Sequence, residues 1–158
     1  MLLNLDVKIP LEIREGGKLK EKLEVYYRDY TKEEKKKFNK IVKDFKNLFM
    51  KVSKYGQKEA SLNKRIELAE KIGNFDKAFS LVEERDNLQN KIEEVAIELE
   101  SLGGEDFEEK MAKKRFDTLI SGEDKEKLRE YAEIRTYKTI LKLMDEQKAE
   151  LEKKQSGE

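Results

Sequence analysis

Hydrophobic and polar residues alternate over much of the first thirty positions of the chain, around a central pair of glycines. Alternation with a period of two is typical of a β-strand with one buried face, so residues 1–30 are predicted to form a β-hairpin. A two-residue loop at Gly16-Gly17 would set the apolar residues of one strand against polar residues of the other. A three-residue loop with Gly17 in the left-handed conformation instead pairs Ile9 with Leu23, and is therefore predicted. The apolar positions of the two strands are Leu3, Leu5, Val7, Ile9, Leu11, Ile13, Leu19, Leu23, Val25 and Tyr27.

The spacing of apolar residues changes to three and four in the segment 31–102, which predicts helices there. Thr31 followed by Glu34 is a capping-box pattern and is predicted to begin the first helix. Gly56 is predicted to end that helix, since glycine is the usual residue just past a helix C-terminus. A second and weaker helix is expected over residues 59–72. With the helix that follows, this makes a three-helix segment.

The third predicted helix is capped by Asn74, closed by Gly103-Gly104, and carries a heptad seam interrupted by Arg85. A second apolar stripe lies to one side of the seam, so this helix is expected to contact two neighbours. The seam consists of Ala78, Leu81, Arg85, Leu88, Ile92, Val95, Leu99 and Leu102, and the second stripe consists of Phe75, Phe79 and Val82.

Two further helices are predicted at the C-terminal end of the chain. A short helix covers residues 107–120, and a Ser121 to Asp124 capping box then begins a last helix that reaches Leu151. The predicted fold is α+β and mainly α, with a β-hairpin and a bundle of about four helices. The expected organisation is a single domain over 1–158, made of a hairpin at 1–30, a helical segment at 31–102 and C-terminal helices at 105–154.

The chain has 158 residues and contains no His and no Cys, which removes most enzyme chemistry. Ser-His-Asp and Cys-His nucleophile pairs are excluded, as are imidazole or thiolate zinc sites and disulfide bonds. Charged residues make up 44% of the chain, and its apolar runs are too short to cross a membrane. These features predict a protein without a membrane span and with a cytoplasmic location.

The two signs of charge are segregated, although 35 basic residues balance 35 acidic ones. Residues 31–65 contain 12 Lys and Arg against 4 Asp and Glu, whereas residues 66–109 contain 4 against 14. The basic stretch is suited to phosphates or to an acidic partner. Residues 31–64 contain no Arg, the residue that contacts phosphates bidentately, so a solvated helix face is favoured over a nucleic-acid interface. The basic stretch includes Lys32, Lys35, Lys36, Lys40, Lys43 and Lys46.

Two pairs of carboxylates stand out, Glu67 with Glu70 and Glu83 with Asp86. In a chain without His or Cys, carboxylates are the ligands left for a hard cation such as Mg²⁺. The spacing resembles the ExxE and ExxD pair of the all-α nucleotide pyrophosphohydrolases, the MazG-like family. That resemblance implies that the four residues hold Mg²⁺ against the phosphates of a nucleotide. Since a chain with 26 Glu and 9 Asp also produces this spacing by composition, hydrolysis is kept as the alternative function.

The predicted hairpin needs a cover, because an isolated two-stranded hairpin is marginally stable in water. Either the helices of this chain or another protein must bury its apolar face. An exposed strand edge also accepts a further strand, so the hairpin is the predicted partner-binding surface. The candidate contact residues are Val7, Ile9, Val25, Tyr26, Tyr27 and Tyr30.

An opening hairpin with the segments Val7–Pro10 and Val25–Arg28, followed by charged helices, is similar in layout to the tail assembly chaperones of phages and prophages. The resemblance implies a non-enzymatic protein that shields tail components before assembly. The sequence therefore favours a protein that acts by contact, with no catalytic residue, metal or cofactor. The heptad seam adds self-association as a homodimer to the expected partners, although a helix of the same chain satisfies the seam equally well.

Overall fold

The computed structural model describes residues 6–155 and shows five α-helices and three β-strands in that range. The chain divides into two compact units. We call residues 6–35 with 106–155 the sheet unit, and residues 36–105 the helical hairpin. The predicted α+β, mainly helical class is confirmed, while residues expected to form one domain group into two units. The elements are β1 Asp6–Glu15, β2 Lys18–Arg28, α1 Lys32–Lys71, α2 Phe75–Leu102, α3 Phe107–Leu119, β3 Ile120–Ser121, α4 Lys125–Arg135 and α5 Tyr137–Gln155, with a 3-10 turn at Gly104–Asp106.

Strands β1 and β2 form the predicted antiparallel hairpin, but a two-residue loop joins them. Gly16 and Gly17 have φ angles of +58° and +81°, so both adopt the left-handed conformation that a tight hairpin turn of this length requires. The predicted three-residue loop is therefore wrong. Leu3 and Leu5, which the alternation assigns to the first strand, lie outside the described residues.

A β-bulge restores the parity that the short loop breaks. The register shifts next to Ile13, and Lys20 is the extra residue on β2. Ile9 consequently opposes Val25, whereas the sequence predicted that it would oppose Leu23. The loop is one residue shorter than predicted and the bulge adds one residue, so together they move the partner of each β1 position beyond the bulge by two without changing which side chains face the core.

A short third strand completes the sheet in the order β1-β2-β3. The β3 segment Ile120–Ser121 pairs with Tyr26 and Tyr27 of β2. Ser121 therefore belongs to a strand, and the predicted capping box between Ser121 and Asp124 is wrong; α4 begins one residue after Asp124. Pro10 lies on β1, an edge strand, where its missing N–H is tolerated as predicted.

The core of the sheet unit lies between the hairpin and the three C-terminal helices. Phe116 of α3 has no exposed surface and meets the ring of Tyr137 edge-on, with 5.2 Å between the ring centres. Such an edge-to-face pair adds about 1 kcal/mol to the burial of the rings. The buried cluster consists of Ile9, Leu23, Val25, Tyr27, Ala112, Phe116, Leu119, Ile120, Leu128, Ala132, Tyr137, Leu141 and Met144.

The predicted last helix is divided into α4 and α5 at Thr136, whose φ of +113° is incompatible with a helix. Glu109 of α3 accepts hydrogen bonds from the backbone N–H groups of Tyr137, at 2.5 Å, and Lys138, at 3.2 Å. Its carboxylate thus satisfies donors that the N-terminus of α5 leaves open. The break depends on this contact from another helix, which apolar spacing cannot indicate.

Helix α1 runs without interruption through the position where the sequence predicted two helices. Gly56 lies in its interior, and the space around its Cα is open. A glycine weakens a helix by about 1 kcal/mol relative to alanine but does not by itself end it. The predicted capping box is confirmed, since Thr31 Oγ1 accepts the N–H of Glu34 at 3.2 Å and the Glu34 carboxylate accepts the N–H of Thr31 at 2.9 Å.

Gly73 and Asn74 form the turn between α1 and α2. Gly73 is left-handed, with a φ of +75°, and Asn74 Oδ1 accepts the N–H of Lys77, as the predicted cap requires. The heptad seam of α2 packs on α1, and Arg85 in the seam donates to Asn63 Oδ1 at 3.1 Å. A helix of the same chain therefore satisfies the seam. The buried residues of the two helices are Leu62, Ile66, Ala69, Ala78, Leu81, Leu88 and Val95.

Candidate interaction surface

Most of the hairpin residues predicted to contact a partner lie inside the sheet unit. Ile9 and Val25 have no exposed surface, and Tyr27 is 2% exposed. Val7 and Tyr30 are half-buried and pack against the same core. The apolar face of the hairpin is therefore covered by helices of this chain, which is one of the two alternatives that the sequence left open.

The edges of the sheet also offer little room for an added strand. The β3 strand takes the outer edge of β2 at Tyr26 and Tyr27. The opposite edge, β1, contains Pro10, which has no N–H to donate to a neighbouring strand. Tyr26, at 39% exposed, is the candidate whose side chain faces solvent most fully. Both edges of the sheet therefore offer fewer free backbone groups to an added strand.

A polar cluster fixes the end of β2 against α3 and α5. The Tyr27 hydroxyl donates to the carboxylate of Asp145, and Arg115 donates to the Tyr27 hydroxyl at 3.0 Å and to Asp145 at 3.3 Å. Burial, together with the bond to Asp145, raises the pKa of Tyr27 above its usual value. The phenol stays protonated and acts as a structural donor. The alternation identified Tyr27, whereas no local pattern identifies Arg115 or Asp145.

A second cluster holds Lys148 of α5, which is 7% exposed. Its ammonium group donates to Asp29 and to Glu152, both at 2.8 Å. Burial lowers the pKa of Lys148, but the two carboxylates outweigh burial and raise it overall. This lysine is charged and paired, so it lacks the properties of a nucleophile or a general base.

The four carboxylates of the alternative metal site are exposed and are not grouped. Glu67 lies 3.6 Å from Lys71, and Asp86 lies 4.0 Å from Arg85. Glu70 borders a groove whose other members are apolar. Within residues 6–155, no set of three or more acidic side chains is placed to hold a metal ion.

The charge segregation follows the two helices of the helical hairpin. Residues 36–58 of α1 contain eight Lys and one Asp, whereas residues 83–100 of α2 contain seven acidic and two basic residues. The six lysines named in the sequence analysis are all exposed. One helix is therefore basic over half of its length, and its neighbour is acidic.

Large apolar side chains are exposed near the turn of the helical hairpin. Phe75 and Phe79 lie one helical turn apart on α2 and are 60% and 74% exposed. Together with Val82, Ala78 and Glu70 they line a groove of about 290 Å³, which we call the aromatic groove. The sequence predicted this stripe and expected it to contact a second neighbour, whereas Phe75 and Phe79 are exposed. On α1, Leu68 and Ile72 near the same turn are 62% and 69% exposed, which the sequence did not predict.

Comparison with known proteins adds no further constraint. The chain matches no protein-family model, no curated protein and no solved structure. No helix in residues 6–155 is long and apolar enough to span a membrane.

Proposed function

We propose that this protein acts by contact, as a non-enzymatic protein-binding or assembly protein, and that the aromatic groove is its binding surface. The observation that carries the proposal is the exposure of Phe75 and Phe79 side by side on a helix whose seam is already satisfied. Contiguous exposed apolar area on a soluble unit is typical of an interaction site. Aromatic side chains also contribute strongly to binding because they bury a large area with few rotatable bonds.

The geometry supports contact better than it supports magnesium-dependent hydrolysis. A pyrophosphohydrolase needs carboxylates that converge on one ion and hold it against phosphates. Here Glu67 is paired with a lysine and Asp86 lies beside an arginine. Glu70 borders the aromatic groove, where an apolar ligand would lie.

The resemblance in layout to tail assembly chaperones supplies a specific form of this proposal. In that form the bound partner is a phage tail component whose apolar helices are shielded before assembly. Tail genes on both sides of this gene would support it. The general proposal does not depend on that partner, since it needs only an apolar segment that fits the groove.

The proposal is tested by placing a photo-crosslinking phenylalanine analogue at position 79 in cells that produce the protein. The matched control carries the same analogue at position 134, where Ile134 is 78% exposed in the sheet unit. We expect crosslinked protein at position 79 and not at position 134, and we expect Phe75→Ser to remove it.

The enzyme alternative is tested with the purified protein on a panel of nucleoside triphosphates, with and without Mg²⁺. Magnesium-dependent release of pyrophosphate that Glu67→Gln and Asp86→Asn both abolish, in variants that keep their helical circular dichroism, would contradict the proposal. Absence of turnover together with the specific crosslink would support it.

A further inference from the structure

Each helix of the helical hairpin has a second line of residues beside its seam. In a heptad helix, residues seven positions apart lie on one line along the axis. Glu70 borders the aromatic groove with Phe75 and Val82, and Asn63 contacts Arg85, so both lines flank one face of the hairpin. We call this the second face. It consists of Val42, Phe49, Gly56, Asn63 and Glu70 on α1 and of Phe75, Val82, Gln89 and Ala96 on α2.

The second face has an exposed phenylalanine toward each of its ends. Phe49 is 62% exposed toward one end, and Phe75 is 60% exposed at the other. Gly56 lies between these ends and allows another helix to approach closely. An identical face stacked on this one with its ends matched would place Phe75 of one copy level with Phe75 of the other.

The packing of the helical hairpin also leaves its core incomplete. Between Phe38 and Tyr55, the apolar side chains of the α1 stripe are half-buried or exposed, and none is fully buried. Two antiparallel helices bury one stripe each, whereas four helices enclose a core. Two further helices on the second face would complete such a bundle.

The charges of α1 and α2 favour one partner for the second face and one orientation of that partner. A second copy supplies one basic and one acidic helix, which matches the basic α1 and acidic α2 of the first. With a two-fold axis parallel to the helices, α1 of each copy lies beside α2 of the other, and the signs alternate around the bundle. With a perpendicular two-fold axis, each helix lies on its own counterpart with the ends reversed, so the acidic stretch 83–100 of α2 largely meets itself, which like-charge repulsion disfavours.

We infer that a second copy of this chain packs on the second face, with the turns of the two helical hairpins at the same end. This inference rests on the proposed function, because it names the partner of the same surface. The contact is isologous: the same patch is used on both copies, as in most homodimers.

The arrangement places one specific pair of opposite charges across the interface. Asp44 and Asn47 of α1 line a groove with Glu98 of α2, so residues near 47 and near 100 lie at the same height on the hairpin. A two-fold axis parallel to the helices keeps every residue at its own height. Lys46 beside the second face is then level with Glu100 of the second copy.

The first test measures mass and orientation. Sedimentation equilibrium should show a dimer that Phe79→Ser converts to a monomer. Because the chain contains no Cys, Lys77→Cys introduces a single thiol near the hairpin turn for a spin label. Pulsed electron paramagnetic resonance should give a separation below about 35 Å, since helices are about 10 Å in diameter. The opposite orientation gives more than about 40 Å, the length of a helix such as α2.

The second test exchanges the charges of the proposed pair. Lys46→Glu and Glu100→Lys should each weaken the dimer by about fivefold, and the double variant should restore it to within about twofold. Lys142→Glu, an equal change on α5 in the sheet unit, should leave the dimerisation constant unchanged.

Three outcomes would overturn the inference: a monomer at protein concentrations up to about 500 μM, a label separation beyond 40 Å or so, or no rescue in the double variant. Crosslinks from position 79 to other proteins in the presence of a monomer would still support the proposed function. Loss of every specific crosslink would contradict both.

Discussion

Two glycines in the helical hairpin should respond in opposite ways to the same substitution. Gly56 lies inside the continuous helix α1, and Gly73 lies at its end with a φ of +75°. No atom lies within 4 Å of the position that a new Cβ would take at either site. Replacing each glycine by alanine therefore tests backbone conformation without a steric contribution.

The magnitudes follow from the two conformations. In a helix interior alanine is more favourable than glycine by about 1 kcal/mol, so Gly56→Ala should raise the free energy of unfolding by that amount. At Gly73 the left-handed conformation costs alanine roughly 1–2 kcal/mol. The reduced entropy of the unfolded chain returns about 0.4–1 kcal/mol of this cost. Gly73→Ala should therefore lower stability by about 1 kcal/mol, and the two variants should differ by about 2 kcal/mol.

Urea unfolding followed by circular dichroism measures this difference. Both variants should be made in the Phe79→Ser background, so that self-association does not contribute to stability. Equal denaturant slopes with separated midpoints would indicate a change in stability alone. A Gly56→Ala variant destabilised as much as Gly73→Ala would refute the continuous helix and support an interruption at Gly56.

Three further predictions concern the sheet unit. The hydrogen bond from the Arg28 guanidinium is the main cause of the lowered pKa of Glu34, which falls from 4.5 to about 2. The charged carboxylate therefore stabilises the fold fully above pH 4.5, and this stabilisation is lost as the pH falls toward 2. The melting-temperature advantage over Glu34→Gln, which keeps a capping group, should shrink across that pH range. Phe116→Ala should cost about 3–5 kcal/mol in urea unfolding, against about 0.5 kcal/mol for Ile134→Ala at an exposed position of the same unit. Thr136→Gly should leave stability unchanged or higher by up to about 1 kcal/mol, because relief of the strained φ offsets loss of the hydrogen bond that Thr136 Oγ1 accepts from the N–H of Thr139 at 3.2 Å. A loss of more than about 1 kcal/mol would contradict the strain.

The parts of the fold that the sequence predicts are those set by local physics. Strand alternation locates the hairpin, since a half-buried strand must alternate whatever covers it. The capping box at Thr31 and the cap at Asn74 locate two helix starts because the donor and acceptor lie three residues apart. The stripe of Phe75, Phe79 and Val82 is likewise a property of one helix, so the sequence located it, but it predicted a packed contact there and not an exposed surface.

The features that escaped prediction depend on contacts distant in the chain or on a choice between two locally allowed conformations. Gly56 is compatible with a helix interior and with a helix end, and only the packing of α1 on α2 decides between them. The division at Thr136 needs the carboxylate of Glu109, 27 positions earlier in the sequence. The bulge at Lys20 changes the strand register while preserving the alternation, so the pattern contains no trace of it. The four carboxylates are a further case: their spacing indicated a metal site, but it could not indicate that each side chain has different neighbours in the fold.

The two units differ in how completely they bury their apolar surface, and this difference supports placing the proposed interaction surface on the helical hairpin. The sheet unit buries thirteen residues in one cluster, including β-hairpin side chains that the sequence predicted to contact a partner. The helical hairpin contains seven of the eleven large apolar residues that are exposed within residues 6–155, although it is the shorter unit. An unfilled apolar face costs about 25 cal/mol for each Å² left in water, and a partner recovers that free energy when it covers the face. The sequence predicted a partner because the apolar face of the β-hairpin needs a cover. Helices of the sheet unit supply that cover, whereas the helical hairpin leaves large apolar side chains exposed, so a partner is expected there.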